Sequence, residues 1–115
     1  MKKFTFKKEE RLRKKREFEK AFAEGKKISN KKLVIYVRQN ELGFSRLGIV
    51  VSRKFGNAPR RNRFKRIIRE IFRLNKEIIP KGIDIIVIPT KNTEMKFASL
   101  KDAFIGLLSC PPRIY

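Results

Sequence analysis

The sequence has no histidine, a single cysteine and few acids, with eleven Asp and Glu against 31 Lys and Arg in 115 residues. Without histidine there is no Ser-His or Cys-His nucleophile pair, no imidazole base and no His-ligated metal. Cys110 alone can form neither an internal disulfide nor a thiolate zinc site, and beside Pro111 and Pro112 it reads as a free thiol without a role. No apolar run approaches the roughly 20 residues of a membrane span. The basic N-terminus lacks the apolar segment of a secretory signal, so a cytoplasmic protein with no membrane partner is expected. Internal repeats and Gly/Ser-rich linkers are also missing. The chain therefore reads as one domain over 9–110, preceded by a basic, mobile arm over 1–8 and followed by a short tail over 111–115.

What is present is positive charge. The net charge is +20 and 37% of residues are charged, against about a quarter in an ordinary globular chain. Solubility of a small domain needs a net charge of only about 2–8. Excess charge of one sign repels itself in the compact state, so a polyanionic partner is expected. Nucleic acid is favoured over an anionic membrane surface or an acidic protein, and no obligate protein partner is implied.

Hydrophobic spacing gives the elements. Residues from about Glu9 to Glu24 favour helix, with a Phe18–Phe22 ridge and a stop at Gly25. Nine of the first sixteen residues are Lys or Arg, so the early turns are expected to order on binding. Ile28–Arg38 reads as extended with a break near Ser29-Asn30. Within it, alternation sends Leu33, Ile35 and Val37 to one face and Val34, Tyr36 and Arg38 to the other. Arg46–Arg53 reads as a second strand, centred on Ile49-Val50-Val51 and expected to pair with the first as a hairpin across the Asn40–Ser45 turn. Asn57 is placed to cap a helix whose first turn accepts Pro59. Phe64, Ile67, Ile68, Ile71 and Phe72 form that helix's buried stripe. Ile83–Ile88, nearly all β-branched, suits a strand covered on both faces and stopped by Pro89. Phe97, Leu100, Phe104, Leu107 and Leu108 mark a last amphipathic helix. The expected class is α+β, a single domain ordered α-β-β-β-α-β-α, with helices on a mixed central sheet.

Opposite the stripe of the middle helix fall Asn62, Lys65, Arg66, Arg69 and Arg73, with Arg61 and Arg63 on the flanks. From Pro59 to Asn75 there are seven basic residues and one acid, Glu70. An ordinary solvated face mixes signs and gains from i,i+4 pairs; here neighbouring arginines repel one another. The guanidinium fork can hold two phosphate oxygens and stack on an unpaired base. The cluster also begins at a helix N-terminus, where free N–H groups favour phosphate. The pattern selects a polyanion and leaves RNA versus DNA open.

The block Ser52-Arg53-Lys54-Phe55-Gly56-Asn57-Ala58-Pro59-Arg60-Arg61-Asn62-Arg63-Phe64-Lys65-Arg66 resembles the signature of the bacterial ribonuclease P protein subunit, whose Arg-Asn-Arg motif falls at 61–63. Phe18 and Phe22 before Gly25, Leu-Val-Ile-Tyr at 33–36, Arg69-Glu70 and Gly82-Ile83-Asp84-Ile85 agree in order and spacing, over roughly residues 10–108. The resemblance implies an accessory subunit of an endoribonuclease that removes the 5′ leader from precursor tRNA. Its RNA subunit, with bound Mg2+, performs the hydrolysis, and the protein raises substrate and magnesium affinity. By the same match, Arg61, Asn62, Arg63, Lys65, Arg66 and Arg69 dock on the catalytic RNA. Phe18, Phe22, Tyr36, Val50 and Lys54 receive the single-stranded leader, and Arg53 and Arg73 supply supporting charge. No catalytic or metal-ligating side chain is assigned to this chain. The family also implies a left-handed β-α-β crossover through the arginine-rich helix, against the general right-handed rule. Many relatives carry a basic residue directly after the last strand, where this chain has Pro89; no function is carried to Pro89 and little to Lys91.

From the residues themselves, Phe18, Phe22 and Tyr36 could serve as stacking platforms beside the positive charge of Arg53 and Lys54; the plainer alternative is that both phenylalanines are core. Two other functions compete. A ribosomal or architectural RNA protein would explain size and charge without the ordered block. An enzyme working through its own carboxylates finds Glu9, Glu10, Glu17, Glu19, Glu24, Asp84 and Asp102 scattered among cations. For Asp84, at the entry to the buried strand, a capping role is expected.

Overall fold

The computed structural model describes residues 7–91 and 93–109; the expectations for Cys110, for most of the N-terminal arm and for the tail lie outside them. Helix α1 (Lys15–Glu24) is followed by strands β1 (Lys26–Ser29), β2 (Leu33–Gln39) and β3 (Arg46–Ile49). Helix α2 (Ala58–Leu74), strand β4 (Ile83–Pro89) and helix α3 (Phe97–Leu108) complete the α+β order. The four strands form one mixed sheet in the order β1-β2-β4-β3.

The expected hairpin between the second and third strands is not formed. β4 lies between them, antiparallel to β2 and parallel to β3. Ile83–Val87 is buried throughout, so β4 is the strand whose two faces and two edges can all be covered, and it takes the interior place. β3 is also shorter than expected. It ends at Ile49, the Val50 N–H still bonds the Val87 carbonyl at 3.0 Å, and a single 3-10 turn begins at Arg53. The hairpin that does form joins β1 to β2. Its turn falls at the expected break, where Asn30 Oδ1 accepts from the N–H groups of Lys32 and Leu33, each at 2.9 Å.

One face of the sheet carries the main core. Leu33, Ile35, Val37, Leu47, Ile85 and Val87 meet Phe64, Ile68, Ile71 and Phe72 of α2 and Leu100 and Phe104 of α3. The α2 stripe is as expected, with Ile67 half-buried at its margin, whereas Phe97 at the start of α3 stays 39% exposed. The other face is covered by α1 and the segment before it, through Ala21, Phe18 and Leu12 packed with Ile86 and Tyr36.

The first helix starts later than its sequence suggests. Residues 8–10 form a 3-10 turn and Arg11 bridges to Leu47 beside β3. The Leu12 N–H bonds the Leu47 carbonyl at 3.0 Å and its side chain is buried. Burying Leu12 against the sheet edge requires extended backbone there. Only at Lys15 does the helix begin, where the Glu17 carboxylate accepts from the Arg13 and Lys14 N–H groups, both at 3.2 Å. An acid in the first turn offsets the surrounding cations at the positive end of the helix dipole. Among the described residues no helix is long and apolar enough to cross a membrane.

Candidate nucleic-acid interface

Two surfaces emerge, one on each side of the sheet. The first is the outer face of α2. Asn57 Oδ1 accepts from the Arg60 N–H at 3.0 Å, and Pro59 sits in the opening turn. With Phe64, Ile68, Ile71 and Phe72 anchored in the core, the helix can present only its other side to solvent. Asn62, Arg63, Arg66 and Arg69 are exposed, and Arg61, Lys65 and Arg73 are half-buried.

Neutral groups hold three arginines of α2, Arg60 among them. Arg60 Nε donates to the Phe55 carbonyl at 3.1 Å while its guanidinium lies 4.6 Å from the Phe55 ring centre. Arg61 Nε donates to the Gly56 carbonyl at 3.1 Å, and Arg63 Nη2 to that of Met95 at 3.4 Å. These contacts orient the guanidiniums without cancelling their charge. Arg73 differs, because it is ion-paired with Glu70. Asn62, Lys65, Arg66 and Arg69 have no hydrogen-bond or ion-pair partner among the described residues.

The second surface lies under and beside α1. Register places Arg38, Asp84 and Arg46 in one row across β2, β4 and β3, and Tyr36, Ile86 and Gly48 in the next. Along the same face the alternation continues to Val34 and Ile88. Phe18 lies over Gly48, so closely that a methyl group there would stand 2.6 Å from its ring. Phe22 meets Tyr36 edge to face, ring centres 4.8 Å apart. Phe18 is thus half core, whereas Phe22 is 39% exposed and Val50 36% exposed. The result is a shelf of Val34, Ile88 and Val50 beside an aromatic pair.

Lys54 stands apart from those aromatics. It lines a groove of about 330 Å3 with Ser52, Phe55, Arg60, Pro89, Thr90 and Lys91. Arg53, beside it in the 3-10 turn, is exposed. The grouping of Lys54, Arg60 and Lys91 was hidden in the sequence. Lys91 follows a strand end and Arg60 belongs to a helix, and the fold brings both to one groove with Phe55.

An ionic chain pins α1 to the sheet. Asp84 is 1% exposed. Its Oδ1 accepts from Arg46 Nε at 2.8 Å and its Oδ2 from Arg46 Nη2 at 2.7 Å, a bidentate pair. Arg38 Nη1 lies 3.7 Å from Oδ2, and Asn40 Nδ2 donates to Oδ1 at 2.8 Å. Each arginine then reaches a carboxylate of α1: Arg46 meets Glu17 at 2.6 Å and Arg38 meets Glu24 at 2.8 Å. The expected capping role for Asp84 is therefore replaced by that of a buried counter-ion, because two strands bring arginines to either side of it. Burial pushes the Glu17 carboxyl up, but the Lys14 and Arg13 N–H groups and the Arg46 charge outweigh it and hold it below the ordinary carboxylate range. The Arg38 hydrogen bond does the same for Glu24, and the Asp84 hydrogen bond raises Arg46.

The remaining carboxylates offer little to a metal. Glu10 pairs with Lys76 and Glu94 with Lys32. No group of three His, Cys, Asp or Glu among the described residues could hold an ion.

Comparison with known proteins relates the whole described chain to a family. The model of the family described as Ribonuclease P matches residues 6–111. A ribonuclease P protein component from Thermotoga maritima is 55% identical over 93 residues, covering 81% of this chain and 80% of the relative. One from Syntrophus aciditrophicus is 48% identical over 114 residues, covering 98% and 96%. A solved structure of the Thermotoga maritima RNase P protein in complex with 1-(4-fluorophenyl)-2-thiourea superimposes with a TM-score of 0.81 at 47% identity, covering 87% of this chain and 98% of that one.

Proposed function

The chain belongs to the ribonuclease P protein family, and from that membership and the two surfaces we propose how it works as the protein component of a tRNA 5′-processing ribonucleoprotein. The outer face of α2 docks on the RNA subunit through Arg61, Asn62, Arg63, Lys65, Arg66 and Arg69. The shelf beside α1 receives the single-stranded 5′ leader of precursor tRNA. Phe22 and Tyr36 serve as its stacking platform, Phe18 and Val50 as its apolar floor, and Lys54 and Arg53 as charge at its far end. Stacking beside a positive groove suits an extended RNA of any sequence. Arg73, paired with Glu70, acts as supporting charge only.

In this reading the bond is cut by the RNA subunit with its Mg2+. The carboxylates here fit ion pairing, not a metal, so magnesium would be held by RNA. The chain's residues bind and orient, and by neutralising phosphates they lower the repulsion that otherwise opposes RNA, substrate and metal coming together. The working domain spans 9–110, with 1–8 as a basic arm and 111–115 as a tail, and it acts in the cytoplasm.

The observation that carries this most is the acid-free run of Asn62, Lys65, Arg66 and Arg69, fixed in place by a buried stripe yet without hydrogen-bond or ion-pair partners among the described residues. Reconstitution with the catalytic RNA and precursor tRNA at low magnesium tests it. Added protein is expected to raise both cleavage and affinity for leader-bearing substrate. Unchanged cleavage and leader affinity would overturn it.

A further inference from the structure

Residues 11–13, which run beside β3, border with α2 a notch of about 190 Å3. Arg11, Arg13, Lys65 and Arg69 line it over a floor that includes Phe18 and Gly48, and no acid is among the lining residues. Lys65 and Arg69 have no hydrogen-bond or ion-pair partner among the described residues. The Arg69 guanidinium is pulled below its ordinary value, first by burial and then by the Arg11 charge. Cations contributed by two separate segments thus border one notch, a place suited to an anion. The notch has one wall on the α2 face and its floor on the aromatic that supports the leader shelf. It is the seam between the two surfaces.

We propose that this notch binds one RNA phosphodiester group, gripped jointly by Arg11 and Arg69, with Lys65 and Arg13 at its rim. Guanidinium forks from opposite sides match the oxygens of a single phosphate. The Leu12–Leu47 backbone bond holds the Arg11 side in place, and Ile68 and Phe72 hold the Arg69 side through the core. The proposal rests on the function above and adds to it a shared contact at which RNA on one surface is sensed by the other. The phosphate comes from the catalytic RNA or from the leader.

The test uses the full chain as wild type, Arg11→Gln, Arg69→Gln and the double variant, with thermal melts to establish folding. In one arm the catalytic RNA alone is titrated across a salt series. In the other, the assembled holoenzyme is titrated with precursor and with mature tRNA. Each single variant is expected to lose about three- to tenfold in affinity with the salt slope nearly unchanged, since the other arginine keeps the phosphate. The double variant, which alone gives up the phosphate, is expected to lose more than the product of the singles and to flatten the slope by about one unit. Appearance of this pattern in the first arm assigns the phosphate to the catalytic RNA, and in the precursor titration to the leader. Singles that each remove a full unit and multiply, or no change in either arm, overturn the shared site. Failure of the proposed function would show differently, as wild-type protein that does not bind the catalytic RNA at all.

Discussion

The two sides of this sheet treat the same residue type in opposite ways. Under α1, Arg38 and Arg46 are enclosed by Asp84, Glu17 and Glu24. On α2, Arg66 and Arg69 stand in the open with Asn62 and Lys65 and find no carboxylate among the described residues. An arginine answered by acids holds the fold together, and one without them waits for a partner. The +20 net charge is therefore not a uniform coat, because three of the acids, Asp84, Glu17 and Glu24, gather on the arginines under α1.

The sharpest way to break that contrast is Asp84→Ala. Removing the buried member of an ion-paired set leaves Arg38 and Arg46 uncompensated, and should cost about 3–5 kcal/mol in urea unfolding. Arg66→Ala should move stability by no more than about 0.5 kcal/mol. Equal losses from the two would erase the distinction between fastening and waiting arginines.

Next in size is Phe22→Ala, which should weaken binding of leader-bearing tRNA by about 1–3 kcal/mol, the usual worth of a base stacked on an aromatic. Binding of mature tRNA should be unaffected, as comparative titration would show. Phe18→Ala should lower thermal stability as well, because that ring is half core. A purely leader-specific effect at Phe18 would place it among the waiting residues instead.

Arg66→Ala should weaken binding to the catalytic RNA by about tenfold and flatten the salt dependence by about one unit. A salt series of titrations reads both. The smallest effect concerns pH. Glu17 and Glu24 have folded-state values below the ordinary range, so their contribution is present above the unfolded carboxylate value of about 4.3 and fades as pH falls through the folded one. Glu24→Gln should therefore blunt the acid side of the stability profile, read by circular dichroism. An unchanged acid limb would mean that Arg38 gains nothing from α1.

Features carried by a single segment were legible in the sequence. The α2 stripe from Phe64 to Phe72, the Asn57 cap and the buried run of β4 each follow from spacing within one stretch. So does the cationic face, since it is simply the other side of that stripe. What required the folded chain was long-range. β3 looked like β2's hairpin partner because nothing near Arg46–Ile49 announces that β4 will come between them. Leu12 looked helical because its burial at the sheet edge depends on Leu47. Asp84 looked like a cap because Arg38 and Arg46 reach it only through strand register. The same limit hid Arg11 beside Arg69, although the family resemblance had already singled out Phe22 and Tyr36.

Gly48 has a further consequence. With Phe18 lying where its side chain would be, the missing methyl group acts as a spacer of zero thickness between helix and sheet. Replacing it with alanine would lever the ring, and α1 with it, away from β3 while leaving every charge in place. The depth of the shelf beside α1 and the floor of the notch would then change together. Clearance under one phenylalanine is thus a single mechanical setting for both.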